Sequence, residues 1–307
     1  MNLFGVVLPV FLIIALGYAL RLRGFLGEDL NEGLSRLVFY VAAPALLFHS
    51  TSGHAYDLRG SVPMLAWIGG ITGAVSLAVY ALAHRARPAR RGVLAQSCHR
   101  SNTVFIGLPI VMYAFGDAAL GVASIVIGFM VLVENFFAVL VLTLPQQDHS
   151  VRDPRLWSAT ALRVAKNPLI LACVAGVLWS LTRVRLPVAL DRALEFLGTP
   201  AAPLGLLCVG AGLRFGHLRT EWKPVAWVSA VRLILHPALI YFALRRLGME
   251  GVALAAPVLI MACPTAVVSY IMAREMQGDA ELAAGLIVGT TAISILTLFA
   301  WLAFLRV

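Results

Sequence analysis

The sequence has few charged residues. Asp, Glu, Lys and Arg together make up 13% of its 307 residues, about half the share that is usual for a soluble domain. A soluble fold of this size needs more polar side chains to cover its surface. Hydrophobic residues make up 60% of the chain, and the mean hydropathy is +0.88. The composition excludes a soluble globular enzyme, a disordered chain and a disulfide-rich secreted module, and it indicates a polytopic membrane protein in a lipid bilayer.

Cysteine is also scarce. The four cysteines all lie in apolar segments and form no CxxC pair: Cys98, Cys173, Cys208 and Cys263. Neither a metal site nor a disulfide framework is indicated, and no cofactor is expected. We predict four buried free thiols.

The formal charge is +9, but no run of Lys and Arg has interleaved aromatic residues. Nucleic-acid binding is therefore not indicated. Basic loops that fix the orientation of membrane helices explain the charge better.

Ten apolar segments are candidate membrane spans, each predicted from a run of mostly apolar residues. They cover approximately residues 3–20, 34–51, 61–83, 94–116, 118–144, 167–182, 197–213, 224–244, 251–273 and 282–305. Arg21 and Arg23 follow the first run, the reverse of a signal peptide, so it is predicted to be a retained span. The predicted inner loops hold roughly twice as many Lys and Arg as the outer loops if both termini lie outside. We therefore expect a multi-pass protein of the bacterial inner (plasma) membrane with both termini outside.

Two connecting segments have their own character. Residues 186–197 carry leucines at helical spacing, which predicts a short helix on the membrane interface; a simple loop is the alternative. Residues 146–166 are polar and contain Pro154, which is typical of a cytoplasmic linker between two halves.

Proline positions indicate an internal repeat. Three matches occur in the same order in the two halves: Pro9 and Gly17 with Pro168 and Gly176, Pro44 with Pro203, and Pro109 with Pro264. Each half holds five spans, an odd number, so the second half must enter the membrane from the opposite side. The prediction is an all-α membrane protein of two inverted five-helix repeats, residues 1–145 and 167–307, as in secondary transporters.

Pro109 and Pro264 lie deep in the fourth and ninth spans. A proline there removes a backbone hydrogen bond and clashes with the preceding turn, and a freed carbonyl is costly in hydrocarbon. Two such prolines in equivalent spans predict discontinuous helices that cross near the midplane, with half-helix N-termini suited to anions. Two ordinary kinks are the alternative.

Polar residues flank both prolines. Asn102 and Thr103, preceded by Arg100 and Ser101, come before Pro109, whereas Thr265 and Ser269 follow Pro264. Asn102 can both donate and accept, so it can orient a carboxylate. An interhelical hydrogen bond is the alternative for its side chain.

Ionisable residues at membrane depth are functional candidates. Glu134 and Asn135 lie near the middle of the fifth span, and Arg232 and His236 lie one turn apart in the eighth. Glu134 is predicted either to carry a coupling proton or hold a cation, or to form a structural ion pair with Arg232. Substrate binding is the alternative for Arg232. Asn135 is a candidate second substrate contact.

Four motifs resemble the auxin efflux carrier family. They are NTVFIGLP at 102–109, CPTAVVSYIMAREM at 263–276, LPVFLIIALGYALRLRGFL at 8–26 and VFYVAAPALLF at 38–48. The resemblance covers nearly the whole chain. The short central loop departs from the plant carriers, which argues against auxin as substrate and resembles the bacterial branch described as malonate or malate carriers.

The resemblance implies a fold similar to bile-acid/sodium symporters and sodium/proton antiporters. Spans 1, 2, 6 and 7 would form a scaffold, often dimeric, and spans 3–5 and 8–10 a moving transport domain. Asn102 matches the crossing asparagine that contacts a substrate carboxylate, and Asn135 the polar residue of span five. Gly107 and Pro109 match the Gly-x-Pro of the first crossing helix, and Pro264 the proline of the second.

These observations predict a secondary transporter of small organic anions that works by elevator-type alternating access. The expected substrate contacts are Asn102, Thr103, Asn135, Thr265 and Ser269. A sodium- or proton-coupled symporter is the alternative within transport. A membrane-embedded enzyme or a sensor is the alternative from another class, but the sequence contains no HExxH, GxSxG or paired intramembrane aspartate.

Overall fold

The computed structural model describes residues 3–52, 58–144, 162, 166, 168–212 and 221–305. In these ranges the chain is helical, apart from short connections and one isolated antiparallel bridge. The predicted linker 146–166 lies outside the described residues, except for Leu162 and Lys166.

Within the described residues, the first half of the chain forms seven α-helices. They are α1 (Leu3–Leu22), α2 (Glu28–Leu37), α3 (Ala43–Ser52), α4 (Leu58–Leu82), α5 (Pro88–His99), α6 (Leu108–Phe115) and α7 (Leu120–Thr143). A π-helical turn, Val38–Ala42, joins α2 to α3 without a break, and a second one, Thr103–Gly107, leads into α6. Short 3-10 turns follow α4 and α6, at Ala83–Arg85 and Gly116–Ala119.

The described residues from 168 onward form eight α-helices. They are α8 (Pro168–Leu181), α9 (Val188–Gly198), α10 (Ala201–Gly212), α11 (Trp222–Ser229), α12 (His236–Arg246), α13 (Gly251–Met261), α14 (Val268–Glu275) and α15 (Ala280–Phe304). The π-helical turn Ala230–Leu235 makes α11 and α12 one continuous rod.

Helix ends follow local sequence rules. Pro88 stands in the first turn of α5, where its missing N–H group costs nothing. Asp279 caps α15, because its side chain accepts a 2.9 Å hydrogen bond from the amide of Leu282.

In the part of the chain that the structure describes, five helical stretches are long and apolar enough to cross a membrane: Ser61–Arg85, Leu120–Thr143, Val188–Gly212, Trp222–Arg246 and Ala280–Phe304. Three shorter apolar helices are Phe11–Leu22, Thr103–Phe115 and Gly251–Met261. The protein is therefore an all-helical, multi-pass membrane protein.

The segment predicted as an interfacial helix is helical, and the loop alternative is wrong. It forms α9 and continues after two turn residues into α10. Together α9 and α10 make one of the five long apolar stretches, so this stretch begins at Val188 rather than at residue 197.

The helices pack in two groups. In the first group α1 packs along α10, and α3 packs along α8 and α9. In the second group α4 packs on α5, α7 and α12, while α15 packs on α5, α11 and α14. Contacts of α1 and α3 with α6, α7 and α15 join the two groups.

Glycines let α1 and α10 touch through their backbones. A Cβ atom on Gly210 would lie 1.9 Å from the carbonyl oxygen of Ile14, and one on Gly17 would lie 2.2 Å from that of Leu207. Small residues at such contacts are a common way to bring membrane helices together.

Candidate functional site

The first interruption lies between α5 and α6, and it begins earlier than predicted. α5 ends at His99, residues 100–102 are non-helical, and helical structure resumes at Thr103. Pro109 lies beyond this interruption, in the first turn of α6. A π-helical turn precedes Pro109. In this turn the amide of Leu108 donates to the carbonyl of Thr103, so the hydrogen-bonded ring is wider than that of an α-helix. The expectation that Pro109 itself breaks the helix is therefore wrong.

The second interruption lies where the sequence predicts it. α13 ends at Met261, and α14 begins at Val268. Pro264 stands inside this non-helical segment, where it has no N–H group to leave unsatisfied.

The two interruptions bind each other through their backbones. The amide of Asn102 donates to the carbonyl of Pro264 at 2.8 Å, and the amide of Ala266 donates to the carbonyl of Arg100 at 3.3 Å. Ser101 and Thr265 form an antiparallel bridge between these bonds. Each break thus supplies partners for backbone groups that the other leaves free, which an apolar surrounding requires.

A small cavity of about 40 Å³ lies beside this junction. It is lined by both interruptions, by α7, by the π-helical turn Val38–Ala42 and by the first residue of α3. Its lining residues are Phe39, Ala43, residues 100–105, Val131, Glu134, Asn135 and residues 266–268.

Asn102 and Thr103 reach the cavity as predicted. Asn102 is 3% exposed, and within the described ranges its side-chain amide makes no hydrogen bond. Its backbone carbonyl accepts from the amides of Ile106 and Gly107 and so caps the following turn. The interhelical hydrogen bond considered for Asn102 is not formed in the part of the chain described, so the amide remains available to a ligand.

Asn135 also lines the cavity, but its amide is already engaged. Its Oδ1 accepts from Nη2 of Arg100 at 2.9 Å, and its Nδ2 donates to the carbonyl of Val131 at 2.6 Å. Arg100 donates its other terminal nitrogen to the sulfur of Met272. Arg100 thus lines the cavity, although the sequence alone assigned it no role in the site. An arginine next to Asn102 at membrane depth was the sequence feature that could have indicated such a role.

Glu134 serves the first interruption. Its Oε1 accepts a 2.9 Å hydrogen bond from the amide of Ser101, which is one of the backbone groups released by the break. Among the residues the structure describes, no ion pair joins Glu134 to Arg232, so the structural pair that was one of the two alternatives for Glu134 is not formed there.

Arg232 is fully buried and binds the second interruption. Its Nε donates to the carbonyl of Cys263 at 3.1 Å, and Nη1 donates to Nδ1 of His236. Because Nδ1 accepts, the ring of His236 is neutral and carries its proton on Nε2, 3.0 Å from the hydroxyl of Thr72. That hydroxyl donates to the carbonyl of Ile68 at 2.8 Å, so α4 and α12 are joined by a consistent chain of donors.

Thr265 and Ser269 do not line the cavity, contrary to expectation. The hydroxyl of Thr265 donates to the carbonyl of Ser97 at 2.9 Å, and its amide donates to Thr290 at 3.2 Å. Ser269 is fully buried, and its carbonyl accepts from the side chain of Gln96 at 2.8 Å. Thr265 thus joins α5 to the second interruption, and the carbonyl of Ser269 joins α5 to α14.

Gly107 lies at the crossing. A Cβ atom there would be in ordinary van der Waals contact, 3.4 Å from Cα of Ile260 and 3.5 Å from Sγ of Cys263. The turn before α6 therefore packs against the end of α13 and the second interruption.

Cysteines and other metal ligands form no centre in the part of the chain that the structure describes. Cys98, Cys208 and Cys263 are buried free thiols, and no group of three His, Cys, Asp or Glu side chains comes together in those ranges. The side chain of Cys173 lies outside the described residues.

A multi-pass helical protein with a polar cavity at two interrupted, mutually bonded helices belongs to the class of membrane transport proteins. The sequence matches the family described as "Membrane transport protein" over residues 3–302. The chain belongs to this family, the auxin efflux carrier family that its motifs resemble.

Similar proteins are named as transporters. A Rhizobium meliloti protein named "Putative malonate transporter" is 26% identical, covering 98% of this chain and 95% of its own length. An uncharacterized transporter of Methanothermobacter thermautotrophicus is 28% identical over 96% of both chains. Another from Methanocaldococcus jannaschii is 22% identical over 96% of both. The protein is thus a transporter and not an enzyme.

Proposed function

We propose that the protein is a secondary transporter that moves small carboxylates across the plasma membrane by elevator-type alternating access. The observation that carries this proposal is the amide of Asn102, which lines the cavity at the junction of the two interruptions and has no hydrogen-bond partner among the described residues. Buried polar groups are almost always hydrogen-bonded. A carboxylate in the cavity would supply the missing acceptor.

The surroundings of Asn102 suit an anion. The helices that follow the two interruptions begin at Thr103 and Val268, and both residues line the cavity. The first turn of a helix presents free N–H groups and a partial positive charge. The malonate named for the Rhizobium meliloti relative is an acid of this class.

The architecture we propose is ten spans in two inverted repeats, with both termini outside. The described helices divide into five successive units in either half, and the fourth unit of each half is the interrupted one: α5–α6 in the first and α13–α14 in the second. An odd number of spans per repeat gives opposite orientations to the two halves.

The two packing groups provide candidates for the fixed and moving parts. α1, α2, α3, α8, α9 and α10 would form the scaffold, and the remaining helices would form the transport domain around the crossing. Exposed leucines on α1, among them Leu8, Leu12 and Leu16, and further apolar residues on α8 would face lipid or a second copy in a scaffold-mediated homodimer.

The position of Glu134 favours a proton-coupled carrier over a sodium-coupled one as the second candidate function. A carboxylate that lines the substrate cavity can bind a proton there and release it. Uptake that continues unchanged after collapse of the proton gradient would contradict proton coupling. Uptake that requires sodium would favour the sodium-coupled alternative instead.

Uptake into proteoliposomes tests the proposed function. We expect purified protein to accumulate at least one acid from a panel of radiolabelled mono- and dicarboxylates that includes malonate. Asn102→Ala should abolish this uptake while the protein stays folded by thermal unfolding in detergent. Asn31→Ala, in α2 and outside the cavity, is the matched control and should transport normally. Normal transport by Asn102→Ala, or failure of wild-type protein to move any acid of the panel, contradicts the proposal.

A further inference from the structure

Arg100 is a buried cation on the cavity, and its side-chain hydrogen bonds to the described residues go to neutral groups. Its side chain lines the cavity, and the residue is 5% exposed. One terminal nitrogen donates to the amide oxygen of Asn135 at 2.9 Å, and the other donates to the sulfur of Met272. These contacts fix the guanidinium in place without neutralising it.

A buried arginine normally has an anionic partner. Charged side chains are almost never fully buried unless they are paired, because removing a charge from water is costly. Yet in the described ranges no carboxylate lies in ion-pair contact with Arg100. Glu134 lines the same cavity, and its Oε1 accepts a hydrogen bond from the amide of Ser101.

Guanidinium groups outnumber carboxylates among the described side chains at the crossing. Glu134 is one carboxylate, and the guanidinium groups are those of Arg100 and Arg232. His236 adds no charge, because its Nδ1 accepts a hydrogen bond from Arg232 and the ring is therefore neutral. Of the two guanidinium groups, that of Arg100 lines the cavity.

We propose that Arg100 binds the carboxylate of the substrate and that the site takes a substrate with a single net negative charge. This rests on the proposed function and adds the residue and the charge that select the ligand. Asn102, on the same cavity, provides uncharged hydrogen bonds, whereas Arg100 supplies the attraction that distinguishes an acid from its amide. A charge-assisted hydrogen bond from arginine is roughly twice as strong as a neutral one.

The test uses three probes of nearly equal size and shape: malonate, its monoamide malonamate and the uncharged diamide malonamide. Affinities for purified full-length protein are measured by isothermal titration calorimetry at neutral pH. Wild-type protein should bind malonamate about ten-fold or more tightly than malonamide, since a hydrogen bond to a charged group is worth at least that factor. It should bind malonamate at least as well as malonate, because one charge neutralises the site.

Arg100→Gln removes the charge and keeps a planar amide. We expect it to weaken malonamate binding about ten-fold or more and to reduce the preference over malonamide to less than about three-fold. Arg100→Lys keeps the charge and should retain the preference, so it tests the proposal even if the glutamine variant fails to fold. Arg245→Gln is the matched control: it removes a positive charge from an exposed residue that pairs with Glu250, and its affinities should equal those of wild type.

An unchanged preference for malonamate in Arg100→Gln would overturn the role of Arg100. Malonate binding more than ten-fold tighter than malonamate binding would overturn the single charge, and so would absence of malonamate binding to wild-type protein. None of these results would contradict the proposed function, which fails only if Asn102→Ala transports normally or no carboxylate is moved at all.

Discussion

The backbone amide of Ser101 donates a 2.9 Å hydrogen bond to Oε1 of Glu134. Ser101 lies in the first interruption and Glu134 in the middle of α7, so a buried carboxylate satisfies a backbone donor that the break has released. Glu134 therefore has a structural task as well as a position on the cavity. The two roles are separable by substitution.

Glu134→Ala should destabilise the protein more than Glu134→Gln. Alanine leaves the Ser101 amide without an acceptor, at a cost of roughly 1–3 kcal/mol, whereas the glutamine oxygen can still accept. Thermal unfolding in detergent measures the difference. Equal melting temperatures for the two variants would show that the hydrogen bond does not support the break.

Gly210→Ala should be destabilising, by about 1–3 kcal/mol. Its new methyl group would lie 1.9 Å from the carbonyl oxygen of Ile14, so α1 and α10 must move apart. Gly212→Ala is the control on the same helix, because a Cβ atom there meets nothing within 4 Å. Unfolding curves of the two variants should differ clearly, and a Gly210→Ala protein as stable as the control would contradict the packing described for these helices.

Arg232→Lys should not replace the arginine. The guanidinium reaches both the carbonyl of Cys263 and Nδ1 of His236, and an ammonium group cannot reproduce this planar fork. We expect a loss of roughly 1–3 kcal/mol, since buried hydrogen-bond partners are left unsatisfied. The midpoint of thermal unfolding is the measurement, with the exposed Arg245→Lys as control. A lysine variant that melts like wild type would indicate that the charge alone suffices.

A disulfide between positions 105 and 205 should stop transport reversibly. The ring of Phe105, beside the first interruption, lies 2.1 Å from where a Cβ atom of Gly205 on α10 would stand, so the two packing groups touch here. In an elevator mechanism this contact must be broken in each cycle. Cysteines at both positions, in a variant whose four native cysteines are replaced, should lose uptake on oxidation and regain it on reduction.

The two single-cysteine variants are the controls for this experiment, and oxidation should leave their uptake unchanged. Uptake that persists when the cross-link is complete would mean that the two groups do not slide past each other during transport.

Much of the site could be predicted from local sequence. The interruption at Pro264 follows from the chemistry of proline itself. Asn102 lies near the first interruption, whether that interruption is placed at Pro109 or at residues 100–102. The location of that break could not be predicted. It begins at Arg100 rather than at Pro109, because a π-helical turn precedes the proline and the partners that stabilise residues 100–102 belong to the other interruption.

The roles of the remaining polar residues depend on neighbours that are distant in the sequence. Thr265 is bonded to Ser97 rather than to a ligand, and Arg232 is bonded to the Cys263 carbonyl rather than to Glu134. Hydropathy and spacing cannot show which of several polar side chains at one depth will meet.

The sequence by itself determined that this chain is a helical membrane protein of a transport family, because a 60% hydrophobic composition leaves backbone groups no partners except those within helices. Only the tertiary structure decided which polar groups face the cavity. The hydrogen bonds that engage Thr265, Arg232 and Arg100 form between segments that folding alone brings together.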